Sequence, residues 1–450
     1  MPGALRGDER AFALLISGVH GMDHFLKRVF PPLIPVWGVA FGYPLWKLGL
    51  LMGVRSFGSA VGQAPMGELS DRYDRRLLLP AGIALAGLGI LLFAVLPGMG
   101  SGVAVATVAG VALDSRFLLM LGAMFAVGLG SSAVHPTGYP LISANVDESR
   151  KGTVLGMWGS ASKFGDGLAP AAVGGLLLAL AWDRILVLFG VAGVAYAALL
   201  FVALGSFEIR PAGRRAATDD GGAADGTAGG LRSLWRRDRR AYAYPLLAVA
   251  AHFVVQIMAA TAVTVFLPEF ITSVYGYSVS VFGVELTPES TASFYFSALL
   301  LVAGVGQLGT GRLVDARDSR KVLVAYLAVA AAVLAALAVG AFSPLALLAV
   351  LVLLGLSLYG MNPARDSLVS EIAPPELEGR AFGYVWTGAL LASSAAPALV
   401  GYLGDVAGLR TVFLALAAAV VLSGVPVALL LSDCVYGGEA TPDGKAASVD

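Results

Sequence analysis

Gly67-Glu68-Leu69-Ser70-Asp71-Arg72-Tyr73-Asp74-Arg75-Arg76 is a burst of charge set between two long apolar runs. In the second half of the chain, Gly311-Arg312-Leu313-Val314-Asp315-Ala316-Arg317-Asp318-Ser319-Arg320-Lys321 repeats the order of Gly, Leu, Asp and a basic cluster between two further apolar runs. Each copy suits a tight turn between two membrane helices at the cytoplasmic surface. Gly67 and Gly311 allow close helix approach, and Asp71 and Asp315 can accept from a helix N-terminus or pair with a neighbouring Arg. Arg72, Arg75 and Arg76 also serve topology, because basic residues stay on the cytoplasmic side.

The composition sets the class. Apolar side chains make up 57% of the 450 residues and charged ones only 13%, against roughly 25% charged in a soluble domain. The chain therefore reads as a polytopic, all-α membrane protein. Thirty basic and thirty acidic residues cancel, which gives no global charge for nucleic acid. The one cysteine, Cys434, excludes an internal disulfide. The run after Met1 to Arg10 is too long for a signal-peptide core, so the N-terminus reads as a cytoplasmic tail.

A spanning helix needs about 20 apolar residues. Runs of that kind lie near 11–36, 46–68, 77–97, 116–142, 152–181 and 184–206, and again near 241–271, 292–314, 321–341, 344–371, 379–404 and 409–432. The expected organisation is a first six-helix half over 1–209, a cytoplasmic linker over 210–240 and a second half with its tail over 241–450. The linker is low in complexity and has basic ends, Arg236-Arg237-Asp238-Arg239-Arg240 among them. With the tails and even-numbered connections inside, 21 of the 30 Lys and Arg are cytoplasmic and 4 (Lys47, Arg116, Arg184, Arg410) are outside. That asymmetry predicts both termini in the cytoplasm.

The repeat extends beyond the charged loop. His135-Pro136, Gly152, Gly156, Pro170 and Gly174 are matched at a constant offset of 227 by Asn362-Pro363, Gly379, Gly383, Pro397 and Gly401. His20 in the first helix has a counterpart, His252, in the seventh.

The two loops resemble the signature loop of the major facilitator superfamily, which joins helices 2 and 3 and recurs between helices 8 and 9. The resemblance implies twelve helices in two pseudo-symmetric halves, a solute site between the halves near mid-membrane, and a conformational latch at Gly67, Asp71, Arg72, Arg76, Gly311 and Asp315. Asp74 stands where the family has Gly, and the second copy reads as carrying an extra residue before Arg320-Lys321. His135-Pro136, with Gly128 and Gly130, resembles the fosmidomycin-resistance branch. Gly165 to Gly175 resembles the Gly- and Pro-rich helix 5 motif of the family's antiporters.

Ionisable groups inside spans are costly and are functional candidates by default. His20, His24 and Lys27 share one helix face, Asp23 can pair with Lys27 at i, i+4, and Lys27 and Arg28 either line the cavity or snorkel outward. Arg55 lies deep in helix 2 with apolar neighbours. Lys163 and Asp166 are i, i+3 partners in helix 5, Gln256 falls where His24 falls in the first half, and Arg365 and Asp366 read as lying near the cytoplasmic surface. The expected substrate site is Arg55, His24, Lys27, Lys163, Gln256 and His252, with Asp166, then Asp23, as proton carriers.

The reading is a monomeric secondary transporter of the cell membrane that exchanges protons for a small organic solute, anionic by its cations. Export of a drug or metabolite is the first choice of direction, and uptake of an organic anion the second. No nucleotide-binding Gly-x-x-x-x-Gly-Lys-Ser/Thr loop is present, so gradients supply the energy, and no cofactor or metal is implied. His20 and His24 have the spacing of a metal pair but lack the Glu that a helical metalloprotease motif places after its first His. A transport-dead sensor or a channel is a third class, against which the acid in both loops argues.

Overall fold

The computed structural model describes residues 7–99, 102–108, 110–207, 243–373 and 378–432. The expected linker, most of the C-terminal tail and Cys434 lie outside them. Among the described residues, twelve helical rods follow one another. In the first half they are α1 (Gly7–Arg28, carried on by a 3-10 turn at Pro31–Leu33 into Ile34–Phe41), α2 (Leu45–Arg72), α3 (Arg75–Val95), α4 (Ser115–Ser131 and Val134–Asn145), α5 (Glu148–Leu176) and α6 (Trp182–Gly205). In the second they are α7 (Tyr244–Phe270, ending in a π turn at Ile271–Tyr275), α8 (Pro288–Ala316), α9 (Ser319–Val339), α10 (Pro344–Leu354, a π turn at Gly355–Tyr359, then Asn362–Ile372), α11 (Glu378–Ala407) and α12 (Leu409–Leu429).

Among the described residues, nine of these rods are long and apolar enough to cross a membrane. The other three, α1, α2 and α5, are as long but carry the charges that the sequence singles out. Large apolar side chains such as Leu88, Val202 and Leu422 are exposed on the outside, where lipid rather than water suits them.

Packing makes the duplication visible. α1 lies on α5 as α7 lies on α11, α3 on α6 as α9 on α12, and α2 on α4 as α8 on α10; between the halves, α2 meets α11 and α8 meets α5. Twelve alternating passes put Gly7, Gly205, Tyr244 and Leu429 on one face, called here the end face. Pro136 and Pro363, which lack an N–H for the helical ladder, lie just past matching irregularities. α4 breaks at Ser132-Ala133, while in α10 the amide of Gly360 reaches back five residues to the Gly355 carbonyl at 3.1 Å.

Two β-hairpins cross the far face, β1 (Ala104–Val108) with β2 (Val111–Asp114) and β3 (Val279–Val281) with β4 (Val284–Leu286). The second turns through Phe282 and Gly283, both at positive φ, the backbone that a two-residue hairpin of this hand requires. Neither hairpin stands out in the sequence, because each short alternating stretch adjoins a longer apolar run.

At the charged loops the sequence reading is resolved at one point and corrected at another. Of the two roles open to Asp71, pairing with an Arg is the one formed, to Arg75, while the helix caps are Asp74 and Asp318. Asp74 accepts from the Arg76 amide at 2.9 Å and Asp318 from the Arg320 amide at 2.9 Å. The two caps are separated by the same 244 positions as Gly67 and Gly311 or Asp71 and Asp315, so the second copy carries no extra residue. The reason is that α2 and α8 run on past the Gly, to Arg72 and Ala316. Salt bridges to Arg76 and Arg320 and the adjacent amides hold both cap carboxyls below the usual aspartate range.

Gly49 packs against the Pro397 carbonyl, Gly53 against that of Ser394, and Gly401 against that of Leu45, so α2 and α11 touch backbone to backbone in their far-face halves. Toward the end face, a Cβ on Gly67, Gly156, Gly311 or Gly383 would meet open space. The two halves are thus closed on the far face and parted on the end face.

Candidate functional site

A cavity of about 280 Å³ lies between the halves. The first half lines it with His24, Lys27, Arg28, Arg55 and Asp166, and the second with Gln256, Thr264, Tyr359, Arg365 and Trp386, among others. α1 and α5 bring the first set together because Gly165 abuts the Gly21 carbonyl, which lets two helices approach closely enough for side chains to pair across them.

Asp166, only 4% exposed, accepts from Arg28 Nε at 2.6 Å and from His24 Nδ1 at 3.0 Å. Lys163, the partner expected from sequence spacing, is 4.0 Å from the carboxylate. Arg28 therefore turns inward instead of snorkelling, and it supplies the close ion pair. Asp23 pairs with Lys27 at 2.6 Å, as the i, i+4 spacing implies.

In the second half Arg365, also 4% exposed, sits on the cavity wall rather than at the surface. It donates to Gln256 Oε1 at 3.0 Å and to Asp366 Oδ1 at 2.8 and 3.0 Å. Its guanidinium stacks over the Phe253 and Trp386 rings at 4.6 and 5.2 Å, an arrangement that fixes a planar cation. Tyr359 leaves the π turn with its hydroxyl donating to the Ala260 carbonyl at 3.1 Å and accepting from Thr264 at 2.8 Å.

The charges around the cavity pair off, Lys27 with Asp23, Arg28 with Asp166 and Arg365 with Asp366. Arg55 is left over. Among the described residues it makes no ion pair, and its buried Nε has no hydrogen-bond partner. An unpaired guanidinium whose Nε is buried among helices is costly unless an anion meets it.

Of the residues expected to bind substrate, Arg55, His24, Lys27 and Gln256 line one cavity, together with Asp166. Lys163 lies against Gly304 of α8, 4.0 Å from Asp166 and outside the cavity lining, and Asp23 is buried beneath Lys27. His252 is fully buried away from the cavity and donates from Nδ1 to the Ser423 carbonyl of α12 at 2.9 Å. His20, its counterpart, donates likewise to Trp158 of α5 at 2.9 Å and stacks on that ring. Arg28, left open between cavity and snorkelling, lines the cavity, whereas Tyr359, Arg365 and Trp386 escaped the sequence reading as cavity residues, although Arg365 follows Asn362 at i+3.

In the latch loop, Asp71 is exposed over 79% of its side chain and touches Arg75 at 3.2 Å. Arg75 also donates to Ser70 at 2.8 Å, and Ser70 to the Pro136 carbonyl at 3.0 Å, which ties the loop to the break in α4. Arg72 and Asp315 are exposed on the end face, and Arg76 holds Asp74 at 2.8 Å.

A twelve-helix membrane protein in two like halves, with a charged cavity between them that opens to one face, is built as an alternating-access transporter of a small solute. The chain belongs to the Major Facilitator Superfamily, whose profile matches residues 14–288 and 282–447. It is similar to the uncharacterized MFS-type transporter YfnC of Bacillus subtilis, 24% identical over 42% of this chain and 42% of that one. It is also similar to the probable L-galactonate transporter of Escherichia coli, 23% identical over 37% of this chain and 32% of that one. These matches span under half the length of either relative. Among solved structures, a bacterial homolog of the human lysosomal transporter Spinster, inward-facing and occupied, matches with a TM-score of 0.71 and 15% identity, covering 94% of this chain and 97% of that one. The protein is a membrane transporter and not an enzyme.

Proposed function

We propose that the protein carries a small organic anion together with a proton across the cell membrane, both chain ends lying in the cytoplasm. The observation that carries this reading is Arg55, a cavity cation without an acid partner. An anion seated on Arg55 also competes with Asp166 for Arg28. A carboxylate that loses its cation among apolar helices is costly to keep ionised, so Asp166 takes a proton as the anion binds. Anion and proton then load together and leave together, which makes the carrier a symporter that an inward proton gradient drives toward uptake.

Uptake was the second direction expected from the sequence. Export rested on the resemblance of Gly165 to Gly175 to the antiporter motif and of His135-Pro136 to the fosmidomycin-resistance branch, and the shared hold on Arg28 favours joint loading over exchange. L-galactonate, in the name of the Escherichia coli relative, is an anion of the proposed class.

The test is a thermal-stability screen of the purified protein with sugar acids, small carboxylates, phosphonates and neutral isosteres. Stabilisation by an anion and not by its neutral isostere is expected. In proteoliposomes, an inward gradient of that anion should acidify the lumen, and a lumen that stays neutral during anion entry would rule out symport.

Two further predictions concern sidedness and the cycle. The 21-to-4 distribution of Lys and Arg supports a cytoplasmic end face. A reporter active only there should function at Gly222 and on the C-terminal tail, and silence at either site would reverse the orientation. In the end-open conformation Asp71 is largely exposed and is held by Arg75 of its own loop, so it makes no contact across the halves that a latch engaging on closure would supply. Asp71→Asn should leave anion affinity within about twofold while turnover falls roughly tenfold, the size of one charge-assisted contact. An unchanged rate would remove Asp71 from the cycle.

A further inference from the structure

On the far face the two halves are joined by a carboxylate. Asp405, near the end of α11 in the second half, accepts from the Leu45 amide through Oδ1 at 2.8 Å and from the Trp46 amide through Oδ2 at 3.0 Å. Those amides are the first two of α2, in the first half. A helix leaves its first amides without internal partners and carries partial positive charge there, so a carboxylate that takes two of them satisfies both demands.

Why the cap comes from the other half is legible in α2 itself. Its own N-cap position is Pro44, whose side chain makes no cap, whereas the equivalent helix in the second half, α8, is capped locally by Thr287, which accepts from the Ser290 amide at 3.2 Å. The seams are otherwise alike. Gly401 abuts Leu45 and Trp46 of α2, as Gly174, its match at the offset of 227, abuts Ser290 and Ser293 of α8. The same offset places Leu178, which has no acceptor side chain, opposite Asp405. One seam therefore has an inter-half acid and no local cap, and the other has a local cap and no acid.

We infer that Asp405 is the positioning residue of the far-face gate: it holds α2 against α11 while the cavity is open to the end face, and this link must break for the far face to open. Where α2 parts from α11, Leu45 and Trp46 lose their acceptor and Pro44 offers no replacement, so water alone caps α2. The closed seam is favoured by the difference. At the α5 and α8 seam no such difference exists, because Thr287 moves with its own helix. The inference does not depend on the substrate or on proton coupling.

The test measures the gate directly. In a Cys434→Ser background, spin labels at Val39→Cys and Val406→Cys, both exposed positions on the far-face ends of the two halves, report the far-face separation by pulsed electron resonance in lipid nanodiscs. Asp405→Ala is expected to raise the population of the long, far-open distance by roughly fivefold to tenfold, the range set by loss of a charged helix cap. Asp405→Asn, which keeps the shape and one acceptor oxygen, should give a smaller shift in the same direction. Adding Pro44→Ser to Asp405→Ala gives α2 a cap of its own at a position whose extended backbone already suits one. Thermal stability should then recover while the long-distance population persists, because the link between the halves is still missing. An unchanged distance distribution in folded Asp405→Ala, or a return to the parental distribution with Pro44→Ser, would overturn the assignment.

Discussion

Arg55→Gln is expected to weaken anion binding on the order of 10- to 100-fold, the range for losing one hydrogen-bonded charge partner in a shielded site, and to leave binding of neutral isosteres unchanged. The size follows from the pairing around the cavity. Lys27, Arg28 and Arg365 are each already answered by an aspartate, so their attraction for an incoming anion is largely spent within the protein. Arg55 supplies the surplus positive charge. Arg55→Lys should recover part of the affinity, since Lys retains the charge but not the planar fork that grips a carboxylate through two parallel bonds. Titration of the purified variants against one anion and its neutral isostere decides the matter. Equal losses for the two would make Arg55 a structural residue.

The second large effect is expected at Asp166. Asp166→Asn keeps an acceptor for Arg28 and His24 but cannot take a proton, so a pH jump should no longer drive accumulation and the steady-state ratio across the membrane should fall to one. Exchange of labelled for unlabelled anion at equal pH should continue, because binding on Arg55 and the movement of the halves remain. Accumulation by the variant after a pH jump would transfer the proton to another group. Asp23→Asn is the control. Its carboxylate is held by Lys27 one turn along the same helix and does not line the cavity, so accumulation should survive its loss.

What could be read without coordinates was what lies close in sequence or repeats along it. Twelve spans, the offset of 227 and the Asp23 to Lys27 pair are all of that kind. The Arg28 to Asp166 pair joins residues 138 positions apart, and the i, i+3 neighbour Lys163 was the nearer suggestion by spacing. Arg365 read as a surface residue because charged sequence follows it. In fact α10 continues past its π turn and keeps Arg365 on the cavity wall, against the rings of Phe253 and Trp386. At the signature loops, the regular string of Gly, Leu and Asp marked Asp71 as either a cap or an Arg partner, and it is the partner of Arg75. The helix runs one turn farther and the cap falls on Asp74. His20 and His252 were matched correctly as a repeat, and their positions on carbonyls of α5 and α12 depend on packing that no spacing reveals.

The separation of Arg28 from Asp166 also bears on how the protein is made. A translocon passes helices to the bilayer in order of synthesis, and each charge at mid-membrane costs about 2.5 to 3.5 kcal/mol at that step. α1 neutralises Lys27 from within, through Asp23, but Arg28 has no acid until α5 emerges with Asp166. The first helix must therefore stay near the insertion site, or sit shallow in the bilayer, through the synthesis of the next three. Nascent chains arrested before Asp166 should hold α1 loosely enough to be extracted by alkali, and chains arrested after α5 should resist it. Biogenesis would then draw on the same late-assembled ion pair that the proposed symport opens when its anion binds.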